Sequence, residues 1–437
     1  MDDLWIGIVG TVALFVAILY GANVMVALAI VGAGGLAAIA GFEAASALVG
    51  NVFFDTTHSF HFSVIPMFLM MGFFAMRAGL GQDMFDAATK WLGRMRGGLA
   101  ISTTIGAAAF GAAAGSSVGT ATVFTKLALP EMLSRGYDKR LAAASIAISG
   151  TLAVMIPPSA LMVVYGILTD SSIGGLLIAG IIPGFLFAII LCCATWIWVT
   201  IDPAIAPKVD LNFTLAEKLW SLRLVGPMLL VISTIILGLY LGFFTPTEAG
   251  SVGAAVTMLL ALARQRSFKK LELTNTLIET VKTTGMIFAI IIAAIVFSKF
   301  LALSGLAFSL GGFLTGLETN RWVVVGIVVL IYLFLGMLMD APGLLAITLP
   351  ITHPVMISLG FDDIWLGVFV VLLCELGAVT PPVGINCFVV QGASNGQVEL
   401  SDVFRGLTPY FIAGMFMLLL ICIFPEIALY LPNTMRN

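Results

Sequence analysis

Two proline pairs, Pro157-Pro158 and Pro381-Pro382, each interrupt an otherwise apolar stretch of chain. A proline inside a helix removes a backbone donor and clashes with the preceding turn, so two in succession break the helix. The surroundings make this costly. Hydrophobic residues form 60% of the 437 positions and charged residues only 10%, against about 25% charged in soluble domains. Apolar stretches of bilayer-crossing length recur from Leu4 to Leu431, with no long polar block between them. The chain therefore reads as one all-α, polytopic membrane unit. In hydrocarbon, carbonyls freed by a proline must be satisfied by protein, a water-filled cavity or a bound ion.

Apolar spans are expected at 4–20, 23–42 and 63–79, with an amphipathic, interfacial arm at 81–96. The segment 97–137 is apolar but interrupted by Gly115-Ser116-Ser117-Val118-Gly119-Thr120. Two half-helices meeting at a re-entrant tip suit it better than one span. Next come 139–168, broken at the first proline pair, then 172–201 and a polar, basic interfacial segment at 202–223. Further spans fall at 224–243, 247–263 and 278–303, followed by a short stretch at 304–320. Segment 321–360 is a second hairpin, interrupted at Met339-Asp340-Ala341-Pro342-Gly343. Segment 362–391 is broken at the second proline pair, and 405–431 is the last span.

A shift of 224 residues superimposes the halves 1–223 and 224–437. It pairs Gly119 with Gly343, Pro130 with Pro354, Gly136 with Gly360 and Asp138 with Asp362, and it pairs the two proline doublets. An internal repeat of this kind is a feature of transporters. Arg94, Arg96, Arg135, Lys139 and Arg140 gather at the base of the first hairpin, whereas Asp362, Asp363 and His353 dominate the second. Lys208, Lys218, Arg223, Arg264, Arg266, Lys269, Lys270, Lys282 and Arg405 fall on the same side as the first group. By the positive-inside rule that side is cytoplasmic, the repeats are inverted, and both termini lie outside. The Met-Asp-Asp start lacks a basic region and a small-residue cleavage site, so the first segment reads as a retained helix.

Helix ends at a break expose partially negative carbonyls, which suit a cation such as sodium. The first site is expected from Ala153, Ile156 and Pro158 with Ser116, Ser117 and Gly119 of the facing tip. The second is expected from Gly377, Thr380 and Pro382 with Asp340, Ala341 and Gly343. A substrate between the tips would meet Ser116, Ser159 and Asp340, and the helix N-termini favour an anion there. Asp340 and Glu375 are ionisable groups at membrane depth, which makes each a functional candidate. Lys126 is the basic residue nearest a tip; it either snorkels towards the hairpin base or approaches the substrate. The five cysteines read as small buried hydrophobes, and neither they nor the three histidines form a metal pattern. Paired acids, a His cluster or a Ser-His arrangement are lacking, so an enzyme is not expected. Nor is a channel, for which a pore-lining filter would be needed. No cofactor and no nucleic-acid partner are expected.

The run Gly115-Ser116-Ser117, Leu129-Pro130, Gly136-Tyr137, Ile156-Pro157-Pro158-Ser159, Ala179-Gly180 and Pro183-Gly184 resembles the large membrane subunit of TRAP (tripartite ATP-independent periplasmic) transporters. Thr380-Pro381-Pro382-Val383-Gly384, followed by Asn386, matches too, and the likeness covers essentially the whole chain. Many members of that family have Gly where Ala153 stands. The resemblance implies a bacterial inner-membrane protein working with a separate small four-helix membrane subunit and a periplasmic substrate-binding protein. It implies sodium-driven uptake of an organic acid, a carboxylate or a sulfonate. It also implies an elevator motion in which hairpins and broken helices move against scaffold helices at 1–80 and 224–303. The alternative is a binding-protein-independent anion transporter or antiporter of elevator type.

Overall fold

The computed structural model describes residues 3–208, 212–265, 272–306, 308–310, 312 and 320–435, apart from the His61 side chain. Among the described residues the regular elements are all helical. The first half holds α1 (Asp3–Leu19), α2 (Val24–Ala40), α3 (Phe42–His58), α4 (Val64–Arg77), α5 (Leu80–Leu92), α6 (Gly98–Ala114), α7 (Ser117–Ser134), α8 (Lys139–Met155), α9 (Ala160–Thr169), α10 (Ile173–Ala179) and α11 (Ile181–Ile201). The second holds α12 (Leu215–Tyr240), α13 (Pro246–Gln265), α14 (Leu273–Ser304), α15 (Arg321–Gly336), α16 (Ala341–Ser358), α17 (Asp363–Gly377), α18 (Ile385–Ala393), α19 (Leu400–Ile423) and α20 (Glu426–Thr434). Six described helices are long and apolar enough to cross a membrane, or up to eight if each bent pair is one span. The chain is a multi-pass membrane protein.

Side-chain caps set many of the helix starts. Asn23, Ser116, Asp138, Ser159 and Asp362 each accept a backbone N–H from the first turn that follows, satisfying a donor that has no partner within the helix. Thr214 and Glu217 form a reciprocal capping box. That box starts α12 at Leu215, so residues 215–223 are helical and the 223/224 boundary falls inside α12.

The helices sort into two groups. In one, α2 packs along α14 and α4 along α13, so each half grips the other. In the second group, α8 is buried from Leu141 to Met155 and α17 from Trp365 to Gly377. A helix that is apolar all round belongs inside a bundle; α6, α7 and α19 cover α8, and α15 covers α17. The helices after the breaks cross between halves: α9 packs on α16, and α18 on α7 and α8.

Polar contacts locate the ends of the broken helices. Arg140, at the start of α8, pairs with Asp138 at 2.9 Å and lies near Asp202 and Asp402. At the far end of α9, the Tyr165 hydroxyl reaches the Asp363 carbonyl and carboxylate, both at 3.2 Å. His353 Nε2 lies 2.9 Å from the same carboxylate. So α17 starts where α9 finishes, and α8 starts at the opposite end. Between α5 and α13, Arg264 pairs with Asp83. Arg77 pairs with Glu272 at 2.8 Å. Lys90 sits 5.7 Å over the Trp220 ring and Lys218 5.9 Å over the Trp91 ring, an amphipathic pairing suited to an interface.

Several elements depart from the sequence reading. Helix α3 fills residues 43–58, where no span was expected, because its Glu43, Asn51, Asp55 and Thr57 mask an apolar face carrying Ala45 and Val52. The last stretch is two helices, α19 and α20, separated at Phe424-Pro425, where proline cannot continue the ladder. Cys374 and Cys387 are buried as expected, whereas Cys193 is exposed on α11. Arg266, Lys269 and Lys270, and most of 304–320, lie outside the described residues.

Candidate functional site

Each tip is built by its local sequence. Helix α6 ends on Gly115, whose φ of +59° suits a residue without Cβ. A Cβ there would stand 3.2 Å from the Pro158 carbonyl oxygen, so the tip lies directly on the first break. Ser116 then caps α7, its Oγ accepting the Gly119 N–H at 3.2 Å. The 224-residue shift puts Asp340 in the place of Ser116. Asp340 stands at the N-cap of α16 with no side-chain capping hydrogen bond. Its carboxylate lies over Gly343, where a Cβ would come within 2.9 Å of Oδ1. Glycine at 343 leaves that space open.

The two breaks share a design and differ in outcome. Each Pro-Pro peptide bond is cis, and α8 and α9 meet at 48°. Pro157 and Pro158 have no N–H to offer the Ala153 and Val154 carbonyls. The Ile156 N–H goes to Leu152 at 3.0 Å. Among the described residues no hydrogen bond ends on either freed carbonyl, and the run from Thr151 to Ser159 is wholly buried. In the second break the equivalent carbonyls are recaptured. Gly377 accepts the Thr380 N–H at 2.9 Å and Ala378 accepts the Asn386 N–H at 3.0 Å. The Thr380 hydroxyl turns back to Leu376 at 2.6 Å. Pro381 and Pro382 are exposed.

Tips and breaks meet at a cavity of about 300 Å³. Ser116 and Ser117 line it from the first tip, Asp340 and Ala341 from the second, and Val154 and Ala378 from the two breaks. Leu69 of α4 and Thr283, Met286 and Ile287 of α14 close the other side, so the cavity lies between the two groups of helices. Glu375 and Asn386 also line it, 1% and 0% exposed. Its lining carries two carboxylates and no basic residue. The N-termini of α7 and α16 both open onto it, placing the positive ends of two helix dipoles there.

Other expected site residues fall nearby but do not line the cavity. Ser159 is fully buried and caps α9, its Oγ accepting the Met162 N–H at 3.2 Å. Gly119 and Gly343 sit within the first turns of α7 and α16. Ala153, Ile156 and Pro158 are buried at the first break. Gly377 packs against Gly336, where a Cβ on either would stand under 3 Å from the other's Cα. Thr380 and Pro382 lie in the turn after it. Lys126 is exposed on α7 and away from the lining. Asn386 and the α4 and α14 residues were not singled out as site residues from sequence. The position of Asn386 just after the second Pro-Pro-Val-Gly run was the one available signal.

The architecture has counterparts among known proteins. Residues 11–427 match the family model described as tripartite ATP-independent periplasmic transporter, DctM component. The C4-dicarboxylate TRAP transporter large permease protein DctM of Pseudomonas aeruginosa is 33% identical over 385 residues, covering 87% of this chain and 88% of that one. The isethionate TRAP transporter permease protein DctMQ of Oleidesulfovibrio alaskensis is 31% identical over 372 residues, which is 84% of this chain and 58% of that longer relative. Among solved structures, the Alcanivorax borkumensis YdaH transporter shares the fold, with a TM-score of 0.60 at 14% identity over 90% of this chain and 88% of that one. These relatives are transport permeases, and no enzyme is among them. The chain is a member of the DctM family, the large permease component of the tripartite ATP-independent periplasmic transporters.

Proposed function

We propose that this chain carries out sodium-coupled uptake of a small organic acid, a carboxylate or a sulfonate, across the bacterial inner membrane. The acid is handed over by a periplasmic binding protein, and a small four-helix membrane subunit assembles with the chain. The names of the relatives, which cite C4-dicarboxylates and isethionate, support that substrate class. One observation carries the mechanism: a single cavity is lined by both tips and both breaks on one side and by α4 and α14 on the other. This arrangement suits an elevator, in which the tips and broken helices carry the substrate past α4 and α14. The opposite starts of α8 and α17 support inverted repeats; the basic residues gathered at the base of the first hairpin support both termini lying outside.

The cavity chemistry fits a co-transported cation. The N-termini of α7 and α16 attract an anion, but Asp340 and Glu375 repel it. Cations bound with the substrate offset that repulsion and link its movement to the sodium gradient. The unclaimed Ala153 carbonyl is the best supported ligand at the first break, where alanine in place of glycine leaves the oxygen unchanged. Uptake into proteoliposomes containing the chain, its small subunit and the binding protein tests this reading. A sodium gradient should drive accumulation, and uptake that persists undiminished without sodium refutes it.

A further inference from the structure

Away from the tips and breaks, three basic side chains from distant parts of the chain meet. Lys90 lies in the last turn of α5, Arg94 just beyond it, and Lys218 in the first turn of α12. Helix α5 packs along α12, and this gathers the three around a pocket of about 180 Å³. Asn212, Phe213 and Thr214 complete its lining. Among the described residues none of the three cations takes part in an ion pair, and no carboxylate lines the pocket. The Glu217 carboxylate is near enough to attract Lys90. Its Oε2, however, already accepts the Thr214 N–H at 2.7 Å and the Thr214 hydroxyl at 2.8 Å. Like charges held together without a counter-charge repel one another, so the pocket suits an anion from outside the chain.

The surroundings indicate which kind of anion. The Lys90 and Lys218 ammonium groups sit over the Trp220 and Trp91 rings, and Trp91 Nε1 donates to the Lys218 carbonyl at 3.3 Å. A ring face holds an ammonium in place without using its hydrogen bonds. Trp91 and Trp220 are 43% and 55% exposed, and Leu215 and Leu219 beside them 75% and 59%. On a multi-pass chain such a face meets lipid, and tryptophan marks the level of the headgroups. Basic pockets between helices at that level meet lipid phosphates. We propose that Lys90, Arg94 and Lys218 bind the phosphodiester of an anionic phospholipid, such as phosphatidylglycerol, between α5 and α12. The headgroup neutralises the three charges and fastens α5, which leads into the first hairpin, to α12.

Binding to the purified full-length chain in detergent tests this, read by native mass spectrometry and by thermal stabilisation. The probes are phosphatidylglycerol, phosphatidylcholine and inorganic phosphate. Phosphatidylglycerol should bind and raise the melting temperature. Phosphatidylcholine, which has no net charge, and inorganic phosphate at the same concentration should not. Lys90→Gln, Arg94→Gln and Lys218→Gln should each weaken phosphatidylglycerol binding about fivefold, the loss expected for one basic residue at an anionic lipid surface. Arg135→Gln, which removes a cation paired with Glu131 at the base of the first hairpin, should bind the lipid as the wild type does. If a lysine variant fails to fold because its ring contact is lost, Arg94→Gln decides, since that side chain is exposed. Equal binding by Arg94→Gln and the wild type overturns the proposal, and so does phosphatidylcholine matching phosphatidylglycerol. Equal stabilisation by inorganic phosphate also overturns it, because the occupant is then a soluble anion.

Discussion

Gly115 offers the sharpest test of how the first tip meets the first break. Replacing it with alanine adds one methyl group with two separable consequences. The backbone at φ +59° disfavours a residue with Cβ by about 1–2 kcal/mol. The new Cβ would also stand 3.2 Å from the Pro158 oxygen, tighter than ordinary van der Waals contact, and crowding at this half-buried tip adds about 1 kcal/mol. Gly360 isolates the first effect, since it holds φ +79° with nothing within 4 Å of its Cβ position. Gly360→Ala should therefore lose only the backbone share, and Gly115→Ala that share plus the contact. Thermal unfolding of the two variants in detergent, compared with the wild type, reads the difference. Gly115→Ala should also weaken sodium-driven uptake, because any relief of the contact lifts the tip from the break, whereas Gly360→Ala should spare it. Equal melting temperatures for the two variants would refute the tip-on-break packing.

Three further outcomes follow from the same geometry. Asp340→Ala should abolish or strongly impair uptake in a protein that still folds, since the carboxylate lines the cavity between the tips; wild-type uptake would remove Asp340 from the site. Ser116→Ala should cost about 1 kcal/mol as a lost helix cap and lower uptake beyond what that instability explains. A variant that melts early but transports normally per folded molecule would leave Ser116 with a capping role alone. Asp138, at the base of the first hairpin, is held below the usual carboxylate range by its hydrogen bonds to the Arg140 guanidinium. A carboxyl depressed in the folded state adds stability above its ordinary value near about pH 4, and that stability is lost as pH falls through the depressed value. The stability gap between the wild type and Asp138→Asn should therefore be full at neutral pH and close on acidification below about pH 4. A gap constant across that range would rule out the Asp138–Arg140 pairing as its cause.

The parts of the fold that announce themselves in the sequence are those where the backbone rule is local. A proline pair in apolar sequence breaks a helix whatever surrounds it, and Gly115-Ser116 or Asp340-Ala341-Pro342 supplies a helix end and a new cap within a few residues. The 224-residue repeat then relates the two sets. What stayed hidden depends on partners distant in sequence. Helix α3 looks polar until its Ala45 and Val52 face is set against α2 and α14. The crossing of α9 onto α16 and α18 onto α7 has no local signature, and it is what brings Glu375 and Asn386 to a cavity floored by the first tip. The fate of the freed carbonyls is the deepest of these. Both breaks follow from the same two prolines, yet at the second the chain turns so that the Thr380 and Asn386 N–H groups come back to Gly377 and Ala378, and at the first it does not. Repetition of sequence therefore carries over the break but not its chemistry. The half that has recaptured its carbonyls is also the half whose Glu375 Oε2 and Asn386 amide stand buried without a hydrogen-bond partner, so equivalent positions in the two repeats meet different surroundings.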